Sequence, residues 1–167
     1  MRFHRFLIAG LVLLLDQAAK AVIVARFSGY TVVPVIPGFF RLVRVENTGM
    51  AFGLFSDSSS PLAFWLLTLV SAAVLGVVAF LLWKDSTSSS LGGLALAVIL
   101  GGAAGNVVDR LARGKVIDFL DFYIGRHHWP AFNLADSAIV IGAVLLLLDL
   151  ARARTLHPSR PSTGSGP

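Results

Sequence analysis

Four stretches of this 167-residue chain are apolar for long enough to cross a lipid bilayer, and this limits the fold more than any other feature. A spanning helix needs about 20 mostly apolar residues, because hydrocarbon offers the backbone no hydrogen-bond partner but itself. The stretch from Pro61 to Trp83 is the cleanest, with no charge and a proline suited to a first helical turn. In the next, Leu91 to Leu111, glycines and alanines let neighbouring helices approach closely. The first, Phe6 to Phe27, contains Asp16 and Lys20, and the last, near 131–151, contains Asp136. Only 14% of the residues are charged, against about a quarter in a soluble domain. The chain reads as a polytopic α-helical membrane protein with one domain over 1–153. Its spans lie near 6–27, 61–83, 91–111 and 131–151, and a disordered Pro/Gly/Ser-rich tail is expected over 154–167.

Two longer non-helical regions remain, 28–60 and 112–130. The first is rich in β-branched and aromatic residues and broken by prolines and glycines. It predicts short strands, then a short amphipathic helix or loop around Gly49 to Phe55. Four spans put both termini on one side and both regions on the other. Charge counting separates the sides poorly: Arg2, Arg5, Lys84, Arg152, Arg154 and Arg160 face Arg26, Arg41, Arg44, Arg110, Arg113, Lys115 and Arg126. The terminal and short-loop charges favour cytoplasmic termini. The net charge of +5 is scattered, which fits anionic lipid head groups and not nucleic acid. With no cysteine, disulfides, thiolate metal sites and a cysteine nucleophile are excluded.

The N-terminus has a competing reading as a secretory signal, with basic "MRFHR", apolar "FLIAGLVLLL" and "AKA" as a cleavage site. However, Asp16 and Lys20 are four apart with the acid first, the favourable order for a pair on one helical face. An intramembrane pair facing a bundle interior accounts better for both.

The remaining polar residues gather at one depth. They are Asn47 in the first region, Asn106, Asp109 and Arg110 near the end of the third span, Asp118 beyond it, and Asn133 and Asp136 at the head of the fourth. Positions 106, 109 and 110 share a helical face. A helix starting near Ala131 would carry Asp136 about 7 Å inward. Plainer roles exist: Asn133 as an N-cap, Asp136 as an acid favoured by the helix dipole, and Asp109 with Arg110 as an interfacial pair. Arg110 would then keep Asp109 ionised. Asp121 reads as solvated, Asp57, Asp85 and Asp149 as structural, and His127 and His128 as loop residues without a metal. Asp118 in its apolar setting is harder to dismiss. Two carboxylates held together in low dielectric cannot both ionise cheaply, so they share a proton. One can then take a proton from water while the other polarises a carbonyl, the chemistry of aspartic proteases. There is no HExxH and no GxSxG to support a zinc or serine alternative. Asp118 and Asp136 are the natural dyad.

Five motifs in order then resemble the lipoprotein signal peptidase (signal peptidase II) family, aspartic peptidases of the bacterial inner membrane. They are "DQAAK" at 16–20, "ENTGMAFG" at 46–53, "GNVVDR" at 105–110, "VIDF" at 116–119 and "FNLADS" at 132–137. The resemblance runs from about Leu7 to Arg152. It implies four spans with cytoplasmic termini, a small periplasmic β-rich cradle with an amphipathic element, and an active site near the periplasmic face. It implies removal of the signal peptide from diacylglyceryl-modified prolipoproteins, cut just before the lipidated cysteine, without metal or cofactor and by a monomer among membrane lipids. Carried onto this chain, Asp118 and Asp136 are catalytic, and Asn47, Asn106, Arg110 and Asn133 bind substrate. Asp16, Lys20 and Asp109 support the site from behind. The rivals are a proton-coupled transporter subunit and a membrane scaffold with a satisfied polar cluster. The first needs polar residues through the full membrane thickness. The second span has no charge, and the fourth has none between Asp136 and Asp149.

Overall fold

The computed structural model describes residues 2–48, 61–84 and 90–156. The expected amphipathic element near Gly49, Asp57, Asp85 and the tail beyond 156 lie outside the described residues. Four helices, α1 (Arg2–Arg26), α2 (Pro61–Lys84), α3 (Ser90–Arg113) and α4 (Leu134–Leu156), accompany four strands. These are β1 (Val33–Ile36), β2 (Phe40–Asn47), β3 (Val116–Ile124) and β4 (His127–His128). Each helix is long and apolar enough to cross a membrane.

The helices are not equivalent. α3 has the lowest mean hydropathy of the four, 1.9 against 2.5 for α2, yet 67% of its apolar window is buried, against 17–22% in the others. Burial here follows position: α3 is the central helix, packed on α1, α2 and α4. Its small residues make that possible, since lipid tails are as apolar as leucine and association rests on close packing. A Cβ on Gly102 would come within 2.4 Å of the Ala135 carbonyl oxygen, and one on Gly101 within 2.5 Å of that of Ala9. α2 is apolar all round and touches mainly α3.

α3 ends at Gly114, whose φ of 70° is the left-handed conformation common just past a helix. Its N–H donates to the Arg110 carbonyl at 3.0 Å. The chain then enters β3 directly. The strands form one antiparallel sheet in the order β1-β2-β3-β4, with an irregularity in β2 between Leu42 and Val45. Ile117 and Phe119 of β3 pack with Ile23, Phe27 and Leu42, which seats the sheet on the end of α1. Arg44 adds a polar clamp, donating to the carbonyls of Val24 (3.2 Å) and Phe27 (2.9 Å). These are among the orphan acceptors at a helix C-terminus.

Several expectations need correction. α4 begins at Leu134, not near Ala131, so Asp136 lies in its first turn and not a further turn inside. At the other end α4 continues through Leu156, past the expected start of a disordered tail at 154. His127 and His128 form β4 and pair with Ile124 and Tyr123. Asp121 is buried at 5% exposure, not solvated. It faces Arg41 across the strands (Nε to Oδ2 2.6 Å), and His128 Nδ1 lies 3.0 Å from Oδ1. Burial alone would raise its carboxyl, but the bonds to His128 and Arg41 outweigh that and hold it below the usual carboxylate range.

Candidate active site

Asp118 and Asp136 come from different elements and are joined through asparagines. On β2 and β3, Val45 lies opposite Asp118 and Asn47 opposite Val116. Asn47 is therefore the diagonal, same-face neighbour of Asp118, and its Nδ2 donates to Asp118 Oδ2 at 3.0 Å. Asn133 Nδ2 donates to the other oxygen, Oδ1, at 2.7 Å. Asp136 is matched in the same way: Asn106 Nδ2 donates to Oδ1 at 2.7 Å and the Asn133 backbone N–H to Oδ2 at 3.3 Å. Each carboxylate oxygen of the pair receives one N–H. Among the described residues no cation is bonded to either carboxylate.

The amides have no freedom to turn. Asn133 Oδ1 accepts the Asp136 N–H at 2.9 Å, so Asn133 and Asp136 cap the start of α4 reciprocally. That fixes which end of the Asn133 side chain donates. Asn106 Oδ1 accepts from Lys20 Nζ at 3.2 Å and from Asn133 Nδ2 at 3.3 Å, which leaves its Nδ2 for Asp136. The capping role read for Asn133 and its place in the site are thus one geometry. Phe132 ties this turn to the sheet through a backbone bridge to Leu120, which brings β3 and the head of α4 together.

Behind the pair lies an ionic cluster within the bundle. Lys20 Nζ is 2.8 Å from both Asp16 Oδ2 and Asp109 Oδ2, and all three side chains have no exposed surface. Asp16 Oδ1 also accepts the Ala135 N–H at 2.9 Å, a second cap on α4 supplied by α1. Asp109 accepts from the Ile117 N–H at 3.3 Å, fixing the start of β3 one residue before Asp118. The expected partnership of Asp109 with Arg110 does not form. Its cations are Lys20 and Arg113, while Arg110 donates to the Asn106 carbonyl at 3.3 Å. Two residues escaped the sequence reading. Gln17 donates to Asp16, Asp109 and the Gly105 carbonyl and accepts from Arg113. The i, i+4 spacing of Asp109 and Arg113 was the available signal for the latter.

Burial pushes the Asp118 carboxyl up to about 6; the Asn47 hydrogen bond opposes this, and the charge of Asp136 adds to it. Two open grooves flank α4 at this level. One, of about 460 Å³, is lined by Trp129, Phe132, Asp136, Ser137, Val140 and Ile141. The other, of about 190 Å³, lies between α2, α3 and α4, where Ser71, Asn106 and Arg110 face Val70, Val74 and Ile139.

Fold and site together define a polytopic helical membrane protein with a carboxylate pair at one end of its bundle. The family model for signal peptidase (SPase) II matches residues 8–152. The chain is 47% identical over 144 residues to the lipoprotein signal peptidase of Syntrophus aciditrophicus, covering 85% of this chain and 88% of that one. It is 42% identical over 154 residues to that of Solibacter usitatus, covering 92% and 94%. A bacterial membrane enzyme solved by the in meso method at 2.3 Å superposes with a TM-score of 0.79 at 28% identity, covering 96% of this chain and 94% of that one. The chain belongs to the signal peptidase II family, which makes it an aspartic-type membrane protease.

Proposed function

We propose that this protein removes the signal peptide from prolipoproteins whose cysteine already carries diacylglycerol, cutting just before that cysteine with Asp118 and Asp136 as the dyad that activates water. The observation that carries the reading is the compensation of the pair: buried Asp118 and half-buried Asp136 share Asn133 and receive only amide N–H donors. Such a pair retains one proton between them. The ionised member takes a proton from water, the protonated member polarises the scissile carbonyl, and the proton then passes to the leaving amine. Asn47, Asn106 and Asn133 hold the carboxylates in place and line the path of an extended peptide. Arg110 is the donor for its carbonyls, because a guanidinium carries five N–H groups and the Asn106 carbonyl takes one.

The location suits the substrate. A lipidated cysteine holds the bond near the membrane surface, and Asp136 lies in the first turn of a membrane-length helix. The site then faces the periplasm from a bacterial inner membrane, with both termini cytoplasmic and a single copy sufficient. Asp16, Lys20 and Asp109 support it by fixing Asn106, Ala135 and Ile117.

The test is a gel-shift cleavage assay in detergent with a diacylglyceryl prolipoprotein, its non-lipidated form, and the wild-type, Asp118→Asn and Asp136→Asn proteins. Wild type is expected to cut only the lipidated form, and each folded variant to lose about 10³-fold or more in rate. Normal cleavage by either variant would remove that aspartate from the dyad. Proton flux in vesicles without cleavage would favour the transporter reading.

A further inference from the structure

The two grooves beside α4 differ in chemistry, and the difference assigns them to different parts of one substrate. Helical spacing places Asp136 and Val140, and Ser137 and Ile141, one turn apart on a single stripe of α4. The opposite stripe is used up in packing on α3: Gly102 sits against Ala135 and Ala138, and Gly142 against Ile99 and the Ala95 carbonyl. The stripe with Asp136 is therefore the outward one, and Val140 and Ile141 are 63% and 55% exposed. Trp129, 69% exposed, and Phe132 close the upper end of the groove. Phe132 is held there by stacking on Phe122, with ring centroids 5.8 Å apart. Apart from Asp136 and the Trp129 indole N–H at the upper end, the wall holds one polar side chain, Ser137, and its hydroxyl is already given to the Asn133 carbonyl at 2.9 Å. Below the Trp129 indole this groove offers no free donor to a peptide carbonyl.

The groove on the other side of α4 offers several, from Ser71, Asn106 and Arg110. A peptide that has lost its water needs such partners, and hydrocarbon needs none. Building on the activity proposed above, we propose that the Trp129–Phe132–Val140–Ile141 groove seats an acyl chain of the substrate's lipidated cysteine. The signal-peptide side then lies along Arg110. The groove begins at Asp136 itself, so a chain leaving the cysteine enters it directly. Val140 lies about 6 Å further along α4 at 1.5 Å per residue, toward the bilayer interior.

In a bilayer, lipid hydrocarbon would fill the same groove when no substrate is present. Seating the chain there therefore gains little hydrophobic energy, because one apolar neighbour replaces another. What the groove supplies is register: it sets where the cysteine lies relative to the dyad. Filling it should misplace the bond more than it weakens binding.

The probe is a prolipoprotein whose diacylglycerol carries a photoactivatable diazirine on one acyl chain, in lipid nanodiscs. Wild-type protein must first cleave it; failure to do so sinks the underlying peptidase reading and this inference with it. The substrate is then photolysed on full-length Asp118→Asn, which retains it uncut. Label concentrated on Trp129, Val140 or Ile141 is the expected result. Label on Val70, Val74 or Ile139, or spread evenly along α4 to Leu147 and Leu148, would overturn the assignment while leaving the peptidase intact. As a second reading, Ile141→Trp should lower kcat by about tenfold with little change in KM. A variant with wild-type kcat and chain-length preference would count against the groove.

Discussion

Two pairs of carboxylates stand side by side at one end of this bundle, all buried but the half-buried Asp136, and they are compensated in different ways. Asp16 and Asp109 flank the ammonium of Lys20, and Arg113 adds a second cation. Asp118 and Asp136 have amide partners alone. An ammonium fixes a carboxylate in its charged form, since losing either partner strands the other in low dielectric. Amide donors favour the charge without neutralising it, so a proton can still come and go at moderate cost. The first arrangement is suited to holding helices together, and the second to moving protons. Lys20 and Asn106 connect the two groups through one hydrogen bond of 3.2 Å.

That contrast breaks most plainly at the proposed dyad. Asp118→Asn should cost about 10³-fold in cleavage while leaving the unfolding temperature in detergent unchanged or raised, because it removes one of two like charges. A fall in that temperature comparable to the next variant would show that both groups are structural. Lys20→Met leaves two buried acids without their ammonium, and the expected loss is about 3–5 kcal/mol of stability, read by thermal unfolding. Retention of full stability would mean that Asp16 and Asp109 do not depend on it.

Gly105→Ala sharpens the comparison from the packing side. Its Cβ would come within 2.5 Å of Asp16 Oδ2, forcing the cluster apart. About 1–3 kcal/mol of destabilisation is expected, and an unaltered unfolding curve would contradict it.

The smallest effect concerns pH. Burial raises Asp118 to about 6, and Asn47 opposes this by donating to the ionised form. The protonated form is lost as pH rises through that value, so kcat/KM should fall on the alkaline side. Removing the donor in Asn47→Ala raises the carboxyl further and moves this limb to higher pH. A limb that stays in place or moves to lower pH would show that Asn47 does not act through Asp118.

Much of this was legible along the chain because the signals are local. Span lengths follow from runs of apolar residues, and the helices found at 61–84 and 90–113 nearly coincide with the stretches read for them. The Asp16–Lys20 pair follows from its i, i+4 spacing and is present. The Asn133 cap follows from residue type and position and is present too. The errors occurred where a neighbour in space outweighs a neighbour in sequence. Arg110 adjoins Asp109 in the chain, yet Lys20 and Arg113 take the carboxylate. Asp121 reads as solvated from its sequence, but Arg41 across the sheet and His128 across the β3–β4 turn enclose it.

The sequence by itself therefore determined the membrane class, the four membrane-length helices and which polar residues share a helical face, since hydrophobic run length and helical period are properties of the chain. Only the tertiary structure decided who compensates whom. Asn47 reaches Asp118 because β2 pairs with β3 in one register, and Ala135 meets Asp16 because glycines let α3 draw α1 and α4 together. The electrostatic character of a buried acid is set by the groups within a few ångströms of it, and here most of those come from other elements of the fold.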